Sequence, residues 1–455
     1  MSRFSVLALV LLMTSTSTAA DKRPMTVDDL LAVKGVGSPQ ISPDGSKVVY
    51  VVSEIDREAS KTNSSLWLVE TDGGEPRRLT TAPGSNGEPT WSPDGQSVAF
   101  VSDRGGSAQL WVLPLDGGEA RQLTRLPIDL SGPIWSPKGD KIAFVAEVYP
   151  GKTPEETAKK DEEKGKLKTS VKVFDHLMVR HWTRWDEGKR SHLFVCDASS
   201  GEAKDLISDW KANVPPAPFG GSSDYAWSPD GKELAFTSEP LENAAWSTNT
   251  DIWTISANGG EPKNRTSDNQ GGDSQPAYSP DGKTLAFLRM KRAGFEADQT
   301  ILMFQDRSNG ETQEITTKLD RPVSSFLWLS AEELAMTYDH QGAQAIARMP
   351  AKPVSMSDLI QVQEKGSNGS LSASRDGKSL VFTANRADHP SELFLFTKGQ
   401  GVSPFLTNHN APLLETLDMA SAESFSFKGA EGDEVQGWLI RPPGFDKSKK
   451  WPVLF

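Results

Sequence analysis

A short turn sequence, Ser-Pro-Asp-Gly, recurs along the chain and constrains its fold more than any other feature. In most copies an aromatic residue precedes the turn, and an apolar run follows it within a few residues. Proline presets φ for the second turn position, aspartate bonds to nearby backbone, and glycine accepts positive φ. Each copy therefore predicts a strand, a tight turn and a second, buried strand. The seven copies, two of them degraded, end at Gly45, Gly95, Gly139, Gly231, Gly282, Glu332 and Gly377.

The spacing between the copies predicts the architecture. Gly45 and Gly95 are 50 residues apart, and Gly231 and Gly282 are 51 residues apart. Further apolar strand patterns follow most turns, which gives about four strands per repeat, as in the blades of a β-propeller. A β-sandwich is the alternative, but it does not account for seven copies in register. We therefore predict an all-β, seven-bladed β-propeller over residues 38–410, with Trp91, Trp135 and Trp227 packed between blades.

The interval from Gly139 to Gly231 is 92 residues, which indicates a helical and loop insertion in the third blade, residues 148–191. Its first part reads as an exposed helix with a capping box at Thr153. Its second part is aromatic and cationic, and long loops on rigid scaffolds often carry recognition. We predict that four of its residues line a binding pocket; the alternative is that they anchor the loop to the blade. These four residues are Arg180, His181, Trp182 and Trp185.

The two ends of the chain differ in pattern from the repeats. Residues 1–20 have the basic start, apolar run and small-residue cleavage site of a signal peptide, which predicts a periplasmic or secreted protein. Residues 21–37 are predicted to form a helix and linker, with Thr26 as the helix N-cap and Gly35 just after the last helical turn. Residues 411–455 alternate between apolar and polar side chains as strands do, and a new apolar strand pattern starts at Trp451. We expect this stretch to open a further, truncated domain.

Composition excludes several classes of partner and cofactor. The formal charge of −12 argues against nucleic acid and anionic membranes as partners. Cys196 is the single cysteine, so no intramolecular disulfide is expected. The six histidines show no zinc-type spacing, and the sequence contains no phosphate-binding or dinucleotide-binding glycine motif, so we predict neither a metal nor a cofactor. The sequence is compatible with a homo-oligomer and does not decide the question.

On these residues the chain resembles the prolyl oligopeptidase family of serine peptidases, in the branch of dipeptidyl and acylaminoacyl peptidases. The resemblance depends on the blades, on Arg180-His181-Trp182 in the insertion, and on residues 432–442 followed by Trp451-Pro452-Val453-Leu454. It implies that residues 411–455 are the first strands of a truncated α/β-hydrolase domain. In that domain the family carries a Gly-x-Ser-x-Gly nucleophile motif. This sequence has no such motif, so no catalytic residue is assigned and the chain is expected to be inactive alone.

The resemblance also implies a function. The chain would be the propeller of an exported serine peptidase that acts on short peptides, and it would supply the cap and part of the substrate pocket. Dipeptidyl, acylaminoacyl and oligopeptidase specificities all stay open. The alternative is a freestanding periplasmic propeller of the Tol type, which would bind a partner protein.

Overall fold

The computed structural model describes residues 22–175, 177–239 and 245–454. The predicted signal peptide, residues 1–20, lies outside the described residues. The fold is mostly β, with 44% of residues in strands and 7% in helices. The described residues form five four-stranded antiparallel sheets, one eight-stranded sheet and two hairpins.

Strands follow one another in chain order within each four-stranded sheet. The first sheet contains β1 (Gly35–Ile41), β2 (Lys47–Asp56), β3 (Lys61–Glu70) and β4 (Arg77–Arg78). The second sheet contains β5 (Asn86–Trp91), β6 (Ser97–Ser102), β7 (Gln109–Pro114) and β8 (Arg121–Gln122). The third sheet and its inserted hairpin contain β9 (Leu130–Trp135), β10 (Lys141–Val148), β11 (Arg180–His181), β12 (Arg184–Trp185), β13 (Arg190–Asp197) and β14 (Ala203–Asp205).

The second half of the chain continues the same pattern. The fourth sheet contains β15 (Tyr225–Trp227), β16 (Glu233–Ser238), β17 (Asp251–Ser256) and β18 (Lys263–Asn264). The fifth sheet contains β19 (Asp273–Tyr278), β20 (Thr284–Arg289), β21 (Ile301–Asp306) and β22 (Thr312–Glu314). The eight-stranded sheet contains β23 (Val323–Ser330), β24 (Glu333–His340), β25 (Ala343–Pro350), β26 (Ile360–Gln363), β27 (Ser367–Ala373), β28 (Ser379–Arg386), β29 (His389–Thr397) and β30 (Gly401–Val402). The last hairpin contains β31 (Ala422–Lys428) and β32 (Glu434–Ile440), and the α-helices are α1 (Val27–Ala32), α2 (Pro154–Gly165) and α3 (Ala411–Leu414).

The sheets are arranged as a ring. Successive sheets contact each other through their first strands or, in one case, through the turn that comes just before the first strand. The ring closes where β1, near the start of the chain, contacts β27, near the end of the chain. Within the described residues the first and last sheets share no strand, so side-chain packing and loop contacts close the ring. The buried apolar clusters lie between successive sheets, as a propeller requires.

The repeated turn has the geometry that its residues predict. In the second repeat the Gly95 amide donates to the Ser92 carbonyl over 2.9 Å, and the Ser92 hydroxyl donates to the Asp94 carboxylate over 2.6 Å. In the third repeat lysine replaces this aspartate, yet the bond persists because the Ser136 hydroxyl donates to Asp140 over 2.8 Å. The turn therefore depends on a carboxylate near the serine rather than on one fixed position.

Tryptophans that precede the turns join neighbouring sheets. Each indole N–H donates to a backbone carbonyl on the first strand of the preceding sheet, which adds a directed bond to the apolar contact. These bonds confirm the predicted packing of Trp91, Trp135 and Trp227 between sheets. The pairs are Trp91 with Gln40 (2.7 Å), Trp135 with Thr90 (3.2 Å), Trp227 with Ile134 (3.2 Å) and Trp328 with Ala277 (3.3 Å).

The N-terminal helix begins as predicted and ends earlier. The Thr26 hydroxyl accepts the Asp29 amide over 3.3 Å, and Asp29 accepts the Thr26 amide over 2.8 Å, which completes a capping box. The helix ends at Ala32, and Gly35, expected just after its last turn, is the first residue of β1. Pairing of Gly35 with Ser53 therefore outweighs the local preference of glycine for a helix end.

The C-terminal hairpin forms as predicted, with β31 paired to β32, and it lies largely in solvent. Phe425, Phe427 and Trp438 are about half exposed. Leu417, in contrast, is fully buried, and its neighbour Asp418 donates its amide to the Arg23 carbonyl over 2.8 Å. The chain after the last sheet thus stays packed against the ring as far as Asp418, and the hairpin follows this packed segment.

Candidate substrate-binding cavity

An open cavity of about 1740 Å³ lies inside the ring, on the side where the insertion leaves the third sheet. Its floor and walls come from the inner strands β1, β5, β9 and β27, where Ser38, Glu88, Gly132 and Ser370 line it. The insertion and the loop between β14 and β15 supply the remaining walls. The cavity is therefore built by strands from several sheets together with two loops.

The insertion leaves β10 at Val148 and returns in β13 at Arg190, and these two residues are paired across the sheet. Helix α2 follows the predicted capping box, since Glu156 donates its amide to the Thr153 hydroxyl over 3.2 Å. The Tyr149 ring lies beneath the ammonium groups of Lys160 and Lys164, at 3.7 and 4.8 Å from its centre. These cation–π contacts hold the helix on the third sheet.

Ion pairs hold the return segment of the insertion. Lys189 pairs with Asp161 on α2 over 3.0 Å, and Asp161 also accepts the Tyr149 hydroxyl over 2.8 Å. Arg184 pairs with Glu147 on β10. Since most of these side chains are partly exposed, the segment is positioned mainly by polar contacts.

All four residues predicted for a pocket line this cavity: Arg180, His181, Trp182 and Trp185. They occupy the hairpin β11–β12, in which Arg180 is opposite Trp185. The Arg180 guanidinium lies 5.4 Å from the centre of the Trp185 ring. Among residues 22–175, 177–239 and 245–454, no group forms a hydrogen bond or an ion pair with this guanidinium. Arg180 thus presents its charge and its donors to the cavity.

Sequence reasoning missed Phe219, which packs against the hairpin. Its ring centre lies 5.5 Å from that of Trp182 and 6.1 Å from that of His181. Phe219 follows the segment Pro215–Pro218, and these prolines also line the cavity. The proline-rich stretch was a local signal for a rigid loop, but its contact with the insertion depends on the tertiary fold.

Glu88 and Gly132 form a polar contact in the cavity wall. The Gly132 amide donates to the Glu88 carboxylate over 2.6 Å, and burial raises the pKa of Glu88. The Tyr225 hydroxyl donates to the Gly132 carbonyl. Gly132 has φ of 66°, and a Cβ there would overlap the Tyr225 hydroxyl, so the site requires glycine.

The described residues hold no catalytic or metal constellation of a known kind. Their His, Cys, Asp and Glu side chains form no group of three that would bind a metal. His192 bonds to Asp205 and to the Trp210 carbonyl, over 2.8 and 2.7 Å, rather than to a nucleophile. Burial raises the pKa of the Cys196 thiol to about 12, so it does not act as a nucleophile at neutral pH. In the described part of the chain, no helix has the length and apolar character to cross a membrane.

Comparison with known proteins finds similarity to a propeller-domain profile and to dipeptidyl-peptidases. A family profile described as the TolB beta propeller domain matches residues 27–169. Dipeptidyl-peptidase 5 of Porphyromonas gingivalis is 29% identical over 438 residues, which cover 94% of this chain and 62% of that protein. Dipeptidyl-peptidase 5 of Schizosaccharomyces pombe is 26% identical over 463 residues, 98% of this chain and 64% of that protein. The chain therefore spans less than two thirds of the length of these relatives.

Solved structures share the fold. An acylaminoacyl peptidase in complex with Z-Gly-Gly-Phe-chloromethyl ketone aligns with a TM-score of 0.72 at 16% identity, over 92% of this chain and 59% of that one. The β-propeller domain of the Trilobed protease from Pyrococcus furiosus aligns with a TM-score of 0.57 at 13% identity, over 83% of this chain and 97% of that domain. The prediction of an all-β propeller is thus confirmed. These comparisons support the resemblance to the prolyl oligopeptidase family of peptidases and a propeller domain of the TolB type in this chain.

Proposed function

We propose that this chain is the substrate-gating propeller of an exported serine peptidase that acts on short peptides. The observation that carries the proposal is the similarity to dipeptidyl-peptidase 5, which covers 94% of this chain but 62% of the relative. The part of the relatives that this chain does not match has room for a catalytic domain. In this proposal the serine nucleophile, its histidine base and the oxyanion donors belong to that domain.

The proposal includes seven blades. We divide the eight-stranded sheet into two blades, β23–β26 and β27–β30, because a single pair, Gln344 with Ser367, joins β25 to β27. The insertion, residues 148–191, then belongs to the third blade, between its second and third strands. Hairpin β31–β32 would be the first part of the α/β-hydrolase domain, which would cover the exposed apolar face of the hairpin.

The cavity supports a role in peptide binding. The Arg180 guanidinium has a planar fork of donors that suits a peptide carboxylate or carbonyl oxygen. Trp185 holds this guanidinium by its ring face, which fixes the direction of the fork. A cavity of about 1740 Å³ with walls of strands and two loops has room for a short peptide but not for a folded protein. The propeller would thereby select substrates by size before they reach the nucleophile.

The TolB-type profile favours a second candidate, a propeller that binds a partner protein. That profile matches residues 27–169 alone, whereas the peptidase relatives match more than nine tenths of the chain. The match to the TolB-type profile is explained by the propeller fold that both kinds of protein share. The peptidase proposal is therefore the better supported of the two.

The test compares this chain with the same chain extended by its natural downstream sequence. Both proteins are assayed on dipeptidyl and acylaminoacyl chromogenic substrates. We expect saturable hydrolysis from the extended protein and none from this chain, because the proposal places the nucleophile and its base in the downstream domain. If the extended protein is folded and inactive on every substrate, the peptidase proposal is wrong. If this chain alone gives saturable hydrolysis, the catalytic groups do not belong to the downstream domain as proposed.

A further inference from the structure

We propose that residues 166–174 of the insertion form a docking surface for the downstream catalytic domain, across the cavity from hairpin β31–β32. The inference rests on the proposed function for the presence of that domain. It adds a second contact, remote from the hairpin, by which the domain would close over the cavity.

The even-numbered side chains of this segment fasten it to the rest of the insertion. Two lysines form ion pairs, and a phenylalanine stacks on a ring of hairpin β11–β12. The three contacts are Lys166 with Glu162 over 2.5 Å, Lys172 with Glu187, and Phe174 with the Trp185 ring, whose centre is 5.8 Å from its own. The segment therefore has a defined inner side, although it forms neither a helix nor a strand.

The apolar side chains at odd-numbered positions face solvent instead. Leu167 is 63% exposed, Val171 is 75% exposed and Val173 is 88% exposed. A loop that is complete in itself presents its charges to water and packs its apolar side chains inward, whereas this segment does the reverse. Several apolar side chains grouped on one outer side mark a surface that another body covers.

The downstream chain starts at the same end of the ring as the insertion. The Gln436 side-chain amide donates to the Gln341 carbonyl over 3.1 Å, so hairpin β31–β32 contacts the turn between β24 and β25. This turn joins the second and third strands of its sheet, and the insertion joins the second and third strands of the third sheet. In a propeller such loops all lie at one end. Two sheets separate the insertion from this turn on one side of the ring, so the two lie across the cavity from each other.

A single body at this end accounts for both exposed apolar surfaces. Hairpin β31–β32 exposes Phe425, Phe427 and Trp438, and residues 166–174 expose their own apolar side chains. A domain that continues from the hairpin and covers the cavity reaches the insertion on the far side. Dipeptidyl-peptidase 5 is matched over 62% of its length, and the rest has room for such a domain. A second copy of this chain on residues 166–174 would leave the hairpin exposed.

The test is thiol labelling, because the single native cysteine, Cys196, is buried. Val173→Cys is made in this chain and in the extended protein, and its rate of reaction with a maleimide is measured in both. We expect the rate in the extended protein to be about tenfold lower or less, since only molecules with the domain undocked would react. Ile360→Cys is the matched control, because Ile360 is a half-exposed apolar residue on β26, outside the insertion. Its rate should be equal in the two proteins.

A second change asks whether the apolar side chains make the contact. Val171→Asp, added to Val173→Cys in the extended protein, should raise the labelling rate toward that of this chain, because a carboxylate is costly to bury in an apolar contact. Ile360→Asp, added in the same way, should leave the labelling slow. A labelling rate that Val171→Asp does not change would overturn the docking surface.

The labelling needs no catalysis, so it separates this inference from the proposed function. Equal rates for Val173→Cys in the two proteins would overturn the docking surface, and the peptidase proposal would stand if the extended protein hydrolyses its substrates. Protection in a folded but inactive extended protein would support the docking surface and reject the peptidase proposal. If labelling of this chain alone slows as its concentration rises, a second copy covers the segment and the inference is wrong.

Discussion

Replacing Asn410 should loosen the contact that closes the ring of sheets. Asn410 is buried after the last sheet, and its side chain reaches the segment that precedes β1. Its carbonyl oxygen accepts the Lys34 amide over 2.9 Å, and its amide donates to the Lys34 carbonyl over 3.1 Å. The same amide donates to Glu392 over 3.2 Å. One side chain thus joins two segments that lie 376 residues apart in the sequence.

The magnitude follows from the bonds that Asn410→Ala removes. Three hydrogen bonds are lost, each with a net contribution of about 0.5 to 1.5 kcal/mol. Lys34 is half-buried and regains water in part, and Glu392 retains the Thr407 hydroxyl at 2.7 Å, so we expect a loss of about 2 to 3 kcal/mol. Asn410→Asp should lose more, because it removes the donor and places a second carboxylate beside buried Glu392.

The assay is urea unfolding of this chain, with the shift in midpoint converted to free energy by the wild-type slope. Asn408→Ala is the matched control, since Asn408 is two residues away and exposed. The control should unfold within about 0.5 kcal/mol of the wild type. If Asn410→Ala unfolds at the same urea concentration as Asn408→Ala, then the Asn410 contact does not close the ring and the account of ring closure is wrong.

Three further predictions concern the cavity wall and the tail. Burial raises the pKa of Glu88, so its contribution to stability is complete below its unfolded-state pKa and is lost as the pH rises through the folded-state pKa; Glu88→Gln should therefore gain stability relative to the wild type as the pH rises above about 4.3, the ordinary pKa of glutamate, and parallel pH profiles of the urea midpoint would contradict this. Gly132→Ala should lower the free energy of unfolding, measured by thermal unfolding, by about 2 kcal/mol or more, because its methyl group would overlap the Tyr225 hydroxyl. Gly87→Ala should leave the free energy of unfolding nearly unchanged, because its methyl group would have no atom within 4 Å. A chain that ends at Ala420 keeps buried Leu417 and loses the exposed hairpin, so it should scatter less light at high concentration; stronger aggregation would show that the hairpin protects the ring.

The features that could be predicted from the sequence are those that local chemistry determines. The turn needs serine, a carboxylate and glycine within a few residues, so its copies reveal the strand order directly. The helix N-termini at Thr26 and Thr153 follow from capping boxes for the same reason. The aromatic and cationic composition of residues 180–185 also singled out the hairpin that the structure places at the cavity.

The missed features depend on contacts between distant residues. Phe219 meets Trp182 only because the insertion folds back over the loop after β14. The requirement for glycine at 132 comes from Tyr225, a residue 93 positions later. Gly35 belongs to a strand because Ser53 pairs with it, against its local preference. In each case the deciding neighbour is set by the ring of sheets, which a local pattern does not contain.

The most direct test of the account is the effect of Arg180→Ala on kcat/KM of the extended protein, with thermal stability measured on the same samples. We predict a fall of about tenfold or more at unchanged Tm, since no residue that the structure describes pairs with Arg180, which would bind the peptide by charge-assisted hydrogen bonds. Trp185→Ala should give a smaller fall of the same kind. Arg292→Ala serves as the control, because Arg292 also stacks on an aromatic ring, that of Phe295 at 3.9 Å, yet is not among the cavity-lining residues. Wild-type kinetics in Arg180→Ala, or a loss of stability with intact kinetics of the folded fraction, would contradict the claim that this cavity binds the substrate.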